Sequence, residues 1–454
     1  MFVFKSIHWL TNPFILMFVT IFLGLLLGKL LKIGTSGALF SGLVIGWLVV
    51  KMANASINAQ GPYTSTFNSM LKVSVIDKKF FSLFLILFVG AVGLLAADKI
   101  AIILKTYGTK FIVLGLLIVF IGAGTTYTLT ILSNKANPYE VSGVYTGALT
   151  SSPGLAAAIE TSREHAKEWT VDYPTLSHHN KEIMLNILNS NGTLTPENTP
   201  TLSSEQADEF IIDAESGVGI GHAIGYPFGV LIVILAMKLF PKLFRLNLEE
   251  EHQQFQDEMR EAEKQINIKH IEPVTFDLVA FAFVCVMGYT LGMIKINLGY
   301  LGYFSLGSTG GILAASIFLG HIGKLGFMTF RMDKKILGVI RDIALTFFLS
   351  IVGLRYGFAA IDSITGAGFY LSIVAILVGI FSMFSGFLVG KYVFKINWIM
   401  LSGAICGGMT STPGLGVAVD VIGTDDPAAG YAATYPFALF GMVLFTIILH
   451  KLPM

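Results

Sequence analysis

Two short segments of this chain set hydroxyl side chains against a helix break inside otherwise apolar sequence. They read Gly147-Ala148-Leu149-Thr150-Ser151-Ser152-Pro153-Gly154-Leu155 and Gly407-Gly408-Met409-Thr410-Ser411-Thr412-Pro413-Gly414-Leu415, 260 residues apart. Pro153 and Pro413 lack an N–H, and Gly154 and Gly414 accept dihedrals closed to other residues, so one helix stops and another starts. A helix restarting there presents unpaired N–H groups and about half a positive charge. The hydroxyls of Thr150, Ser151, Ser152, Thr410, Ser411 and Thr412 add neutral donors beside it. Such donors suit a carboxylate that must bind and then leave. Unwound carbonyls before the break would instead suit a cation, and both chemistries stay open on these residues alone. A kinked helix whose hydroxyls bond only their own backbone is the bland alternative. Duplication of the whole motif argues against it.

Other candidates carry charge. Arg355 ends the apolar run Leu349-Ser350-Ile351-Val352-Gly353-Leu354, and its repeat partner at 95 is leucine. An ionisable group within the membrane is a functional hypothesis by default, and arginine grips a carboxylate with two hydrogen bonds. The competing reading is snorkelling to the interface or pairing with Asp362. Glu160 and Asp420 hold equivalent places after the two motifs. They are candidates for a coupling proton or cation, although helix termination in water is the commoner role for such residues. His222 reads as a packed histidine rather than a proton relay, and Arg341 with Asp342 as an interfacial anchor. Cys285 and Cys406 read as small buried hydrophobes, with no disulfide or metal spacing. No phosphate-binding loop, HExxH or metal-spaced His/Cys cluster is present. The expectation is no cofactor, no metal and no catalysis, with energy supplied by gradients or exchange.

These residues need a membrane scaffold. Hydrophobic residues make up 54% of the 454, only 13% are charged, and mean hydropathy is +0.72. Soluble proteins carry about 25% charged residues. The formal charge of +1 excludes a strongly basic nucleic-acid binder. Apolar segments near the ~20 residues of a spanning helix fall at about 13–31, 34–50, 81–97, 111–132, 218–240, 276–294, 304–323, 336–357, 368–390 and 428–450. The motif segments interrupt that series. Further matches follow in the same order: Ile33 to Gly37 with Leu306 to Gly310, Phe88 to Leu94 with Phe348 to Leu354, and Tyr226-Pro227-Phe228 with Tyr435-Pro436-Phe437. The chain is therefore an internal duplication, and its first half holds 51 extra residues between motif and final helix.

The expected organisation is a first membrane repeat over 1–160, a polar acidic insertion over 161–217, the last helix of that repeat over 218–240, a linker over 241–275 and a second repeat over 276–454. The insertion carries three basic and ten acidic residues and reads as an acidic cap with one or two short helices. Glu249 to Asn267 reads as a charged, solvated surface helix. Lysine and arginine counts place the linker in the cytoplasm but do not separate inverted from parallel halves. Paired broken helices meeting from opposite sides build one central site, which favours inversion.

With the repeated T-S-S-P-G-L and T-S-T-P-G-L cores, the Y-P-F stretches after them and Gly353-Leu354-Arg355, the chain resembles the aspartate–alanine exchanger family of bacterial transporters. The resemblance covers nearly everything except 161–217 and 241–275. It implies a multi-pass bacterial inner-membrane carrier that exchanges small amino acids or dicarboxylates, with inverted halves and both chain ends outside. Residue by residue it points to Thr150 to Gly154, Thr410 to Gly414 and Arg355. Typical members carry a soluble regulatory region between the halves, where this chain has only 241–275, and the 51-residue insertion is unusual.

The fold expected is thus an all-α polytopic membrane protein of two inverted repeats, each with about five transmembrane helices and one broken or re-entrant helix. The function expected is a secondary antiporter of small carboxylates such as aspartate, alanine or dicarboxylates. One bundle would move elevator-fashion against a scaffold that forms a homodimer in the lipid bilayer. A monovalent cation/proton antiporter is the alternative.

Overall fold

The computed structural model describes residues 11–30, 34–61, 63–97, 100–132, 137–188, 193–263, 272–297, 303–365 and 368–451. The protein is an all-α polytopic membrane protein. Among the described residues, eight helices are long and apolar enough to cross a membrane, and four shorter apolar helices join them.

The first half runs through α1 (Pro13–Leu30), α2 (Gly37–Asn58), a short amphipathic α3 (Thr64–Lys72), α4 (Lys78–Ala96) and α5 (Ile100–Leu132). The first motif separates α6 (Pro138–Ala148) from α7 (Ser152–Asp172). Next come α8 (His178–Leu188) and the 40-residue α9 (Ser204–Leu243). The linker contains α10 (Leu248–Glu263). The second half repeats the pattern with α11 (Leu278–Met293), α12 (Gly307–Ile322), α13 (Lys334–Thr365) and α14 (Phe369–Leu388). Its motif separates α15 (Trp398–Gly408) from α16 (Thr412–Ile422), and α17 (Pro427–Lys451) closes the chain.

Without a hydrophobic force between helices in lipid, close packing needs small residues. Gly217, Gly221, Gly225 and Gly229 recur every fourth residue along α9, on the side that meets α6. A Cβ on Gly221 would sit 1.8 Å from the Glu140 carbonyl oxygen, so no larger residue fits. Gly403 of α15 stands in the same relation to Pro427 of α17, at 1.7 Å.

Helix directions follow from which residues meet. Glu140, Val144 and Ala148 lie beside Gly221, Gly225 and Gly229, so α6 and α9 run parallel. Ile232 meets Gly379 and Phe240 meets Phe387, so α14 runs with them. Lys110 bonds the Phe394 carbonyl at 3.0 Å, Ile118 packs on Gly386, Gly122 lies against Ser382, and Leu129 accepts from Tyr370 at 2.5 Å. The repeat counterparts α5 and α14 are therefore antiparallel. Phe81 against Phe348 and Phe84 stacked on Phe347 at 4.4 Å give the same sense for α4 and α13. Gly115 and Val119 meet Thr434 and Gly441, and Gly154 and Thr161 meet Met442 and His450. That aligns α17 with both α5 and α7. Consequently α6 and α7 point in opposite directions, and the first motif is the tip of a helical hairpin.

The insertion is more regular than its composition indicates. The helix after the motif continues to Asp172, and a capping box between Ser203 and Gln206 starts α9 at Ser204. Tyr139, Tyr173, Met184 and Phe210 form a small separate core there. The linker helix is not simply solvated. Glu251, Phe255 and Met259, one turn apart, are 8%, 1% and 4% exposed. The Glu251 carboxylate accepts from the Trp398 backbone N–H at 2.7 Å and pairs with Lys391, while its carbonyl accepts from Asn397 at 2.5 Å. A carboxylate beside those first N–H groups of α15 also complements the helix dipole. Lys391 lies in a single π-turn, Val389–Val393, a distortion common at working parts of helices.

Glu251→Ala strands a nearly buried ammonium and a backbone N–H, and removing one partner of such a pair costs about 3–5 kcal/mol. The expected result is a clear fall in the thermal unfolding temperature of detergent-solubilised protein, smaller in Glu251→Gln. A solvated helix would leave both variants at the wild-type temperature.

Candidate functional site

Both breaks are built alike. The Thr150 N–H bonds the Gly147 carbonyl and the Ser151 N–H the Thr146 carbonyl, each at 2.8 Å. In the second half, Thr410 and Ser411 bond Gly407 and Cys406 at 3.0 and 2.8 Å. This is the Schellman ending of a helix, whose left-handed position is ordinarily glycine. Here it holds threonine, with φ of 55° at Thr150 and 49° at Thr410. A β-branched residue is strained in that region.

The hydroxyls account for the choice. Thr410 Oγ1 donates to the Leu149 carbonyl at 2.8 Å, and Thr150 Oγ1 donates to the Met409 carbonyl at 3.3 Å. Each break thus supplies the donor that the other's last carbonyl lacks. Glycine would remove the strain and the bond together.

The restarting helices are capped in parallel. Ser151 accepts from the Gly154 N–H at 3.1 Å, and Ser411 from the Gly414 N–H at 3.2 Å. Both serines are buried, and each keeps its own O–H as a donor. Gly414 is required by space, since a Cβ would come 2.2 Å from the branched side chain of Val233, whereas a Cβ on Gly154 would meet only the flexible end of Met442 at 2.8 Å. The side chains of Ser152 and Pro153 lie outside the described residues.

Around the two tips is a cavity of about 20 Å³, room for roughly one water molecule. Thr150, Ser151, Thr410, Thr412 and Pro413 line it from the motifs. Tyr226 and Tyr435 join them from the two Tyr-Pro-Phe stretches, and Thr309 from the start of α12. Phe81, Leu85 and Phe348 form an apolar wall. Among the described residues none that lines it is charged.

The charged candidates are elsewhere. Arg355 donates to the carbonyls of Val73, at 3.0 Å, and Ile76. It thereby ties down the turn after α3, where Ser74 and Val75 are left-handed. It does not line the cavity; its neighbour Tyr356 packs on Tyr226 at 4.8 Å. Glu160 is exposed and paired with Arg163 at 3.1 Å. Asp420 is exposed and accepts from Thr35 at 2.8 Å. His222 is buried with Nδ1 at 2.9 Å from the Thr146 hydroxyl, and Arg341 pairs with Asp342 and Asp425. Among the described residues no group of three or more His, Cys, Asp or Glu could hold a metal ion.

A family model described as a predicted permease membrane region, that of the aspartate–alanine exchangers, matches residues 16–242 and 280–451. The chain belongs to that family. As an exchanger-family permease it is 32% identical over 163 residues to an uncharacterized transporter of Desulfotalea psychrophila, covering 36% of this chain and 30% of that one. It is also 32% identical over 179 residues to an uncharacterized transporter of Bacteroides thetaiotaomicron, covering 39% and 33%. An uncharacterized transporter of Bacteroides fragilis is 35% identical over 167 residues, covering 36% and 31%. The matched part spans about a third of the length of these curated relatives. No solved structure matches.

In this permease the sequence located both motifs but not the tyrosines. Tyr226 and Tyr435 served only as markers of duplication. Their recurrence beside a helix-interior proline, in phase with the motifs, was the available signal.

The crossed threonine bonds predict an order of stabilities. Thr410→Ala keeps the left-handed strain and loses a hydrogen bond to a buried carbonyl, a cost of about 1–3 kcal/mol. Thr410→Gly recovers part of that by removing the strain. Thermal unfolding should rank wild type above Gly above Ala; an alanine variant as stable as wild type would show that the bond contributes nothing.

Proposed function

We propose that this membrane transporter is an antiporter of small carboxylates working by alternating access, with its binding site between the two hairpin tips. The observation that carries this reading is the pair of capped helix starts, which reach one cavity through Ser151 in the first motif and Thr412 and Pro413 in the second, with no charged side chain among the described lining residues. Helix N-termini and hydroxyl donors attract an anion. With no fixed cation beside them, the anion is held loosely enough to leave. A cation/proton antiporter would need an ionisable group within the membrane at the site. Glu160 and Asp420, the carboxylates considered for that role, lie outside the cavity lining. We assign Arg355 the positioning of the α3–α4 turn rather than first contact with substrate.

We also propose that the halves are inverted in a bacterial inner membrane. The antiparallel crossing of the counterparts α5 and α14 supports this, since both are spanning helices by length and composition. The insertion and the linker lie at opposite ends of α9, and the positive-inside rule assigns the linker to the cytoplasm. The cavity is too small for an amino acid, so substrate entry requires the two tips to move relative to their surroundings.

Two measurements test this. In reconstituted liposomes, counterflow of labelled aspartate, alanine or succinate is expected. Ser151→Ala should weaken binding by roughly 10–150-fold, the value of a hydrogen bond to a charged group. Carboxylate counterflow that is absent, while a monovalent cation exchanges for protons, would overturn the reading. Separately, single cysteines replacing the exposed His178 and Arg260 should react with impermeant thiol reagents from opposite sides, in a background where Cys285 and Cys406 are serine. Labelling of both from one side would refute the arrangement.

A further inference from the structure

The same place in the two halves is built differently. Between α2 and α4 the first half sets α3, whose Phe67 and Met70 are buried against the protein. Between α12 and α13 the second half sets a β-hairpin, with Lys324–Leu325 paired to Met328–Thr329. Gly326, with φ of 60°, opens its two-residue turn, a position where tight hairpins take glycine. Phe327, the other turn residue, is 82% exposed, and Leu325 is 47% exposed. The duplication does not call for this outward apolar tip.

The hairpin is held in place. Asp277 caps α11 through the Ala280 N–H at 2.9 Å and also accepts from the Thr329 N–H at 2.9 Å. The Phe330 N–H bonds the Gly323 carbonyl at 2.8 Å, and the Phe330 ring is buried. Val274 donates to the Arg331 carbonyl and accepts from the Asp333 N–H, both at 2.9 Å. The tip is therefore fixed at the end of α11 that the linker enters, the end proposed above to face the cytoplasm. Leu278 and Val279, next to the Asp277 clamp, are exposed residues of an apolar helix, so acyl chains reach this level. Two-residue strands extend only about 7 Å, comparable with a headgroup layer of about 5–8 Å.

The charge of this stretch is one-sided. Residues 321–335 hold Lys324, Arg331, Lys334 and Lys335 against Asp333 alone, whereas the counterpart 59–77 holds one lysine and one aspartate. Asp333 is occupied with the Lys335 backbone N–H at 2.7 Å. Lys324 and Lys335 are exposed. Apolar side chains beside lysines suit the bilayer interface, where rings enter the acyl boundary and cations meet anionic headgroups.

We propose that this hairpin is an interfacial anchor, with Phe327 and Leu325 inserted at the acyl boundary and Lys324 and Lys335 set on anionic lipid headgroups. It fixes the depth of α11, α12 and α13 in one leaflet, whatever the carrier transports.

The test attaches a fluorophore through Phe327→Cys, in the Cys285→Ser and Cys406→Ser background, with His178→Cys as an exposed reference. Full-length protein is placed in lipid nanodiscs of phosphatidylcholine with or without phosphatidylglycerol. Quenching is read with iodide and with lipid brominated near the headgroup end of its chains. With anionic lipid present, brominated lipid should quench the probe at 327 severalfold more than that at 178, and iodide severalfold less. Lys324→Gln combined with Lys335→Gln should abolish the gain from anionic lipid, since each charge strengthens attachment roughly fivefold. Equal lipid quenching with and without phosphatidylglycerol overturns the proposal. Iodide quenching as strong as at 178 also overturns it, because the tip then lies in water. Protection from both quenchers does the same, because protein then covers the tip. No transport is measured, so these outcomes stand apart from the carboxylate reading.

Discussion

Two threonine hydroxyls, each reaching the last carbonyl of the opposite break, hold the centre of this molecule together. Inside a bilayer, backbone groups released by a helix break have no water to bond. The carbonyls of Leu149 and Met409 are such groups, and each accepts a hydrogen bond from the other half. Neither hairpin is complete alone. The duplication is therefore a structural requirement: the fold can afford two interruptions where it could not afford one.

From that constraint follows the distribution of charge. The centre is lined by hydroxyls, aromatic rings and backbone N–H groups, whereas ionised side chains are committed to structural partners away from it. Arg163 joins Glu160 and Glu215, Arg341 joins Asp342 and Asp425, Lys391 joins Glu251, and Arg355 closes a turn. Fixed charges at the centre would carry a large desolvation cost. A neutral, dipolar centre avoids that cost.

Much of this was legible in the residues, for definite reasons. A Pro-Gly pair among hydroxyls is so costly in hydrocarbon that its presence twice locates the hairpin tips without coordinates. Apolar length gave the spans, although α11 and α12 are shorter than the usual span and α9 extends far beyond one. What stayed hidden depended on partners distant in sequence. Nothing local to Thr150 says that its hydroxyl crosses to residue 409. Arg355 looked like a substrate ligand because its charge breaks the repeat, whereas in the structure it meets carbonyls some 280 residues earlier in the chain. The linker helix masks its docked face because the residue that anchors it, Glu251, is itself charged and interrupts the apolar stripe of Leu248, Phe255 and Met259 among many acidic neighbours.

The length of α9 has a mechanical meaning. At about 1.5 Å per residue, 40 residues reach ~60 Å, twice the hydrocarbon thickness of a bilayer. The portion that passes along the first hairpin is continuous with the portion that enters the insertion, and α7 likewise runs on without interruption from the Ser151 cap to Asp172. Arg163 clasps the two together through Glu215. The insertion is thus mounted on twin rods, one that starts beside the cavity at the Ser151 cap and one that passes it at Tyr226, so a tilt of a few degrees at the membrane centre is magnified at its surface. Whatever grips or labels that surface holds a handle on the first tip, and the second half, whose α16 stops at Ile422, has no counterpart to it.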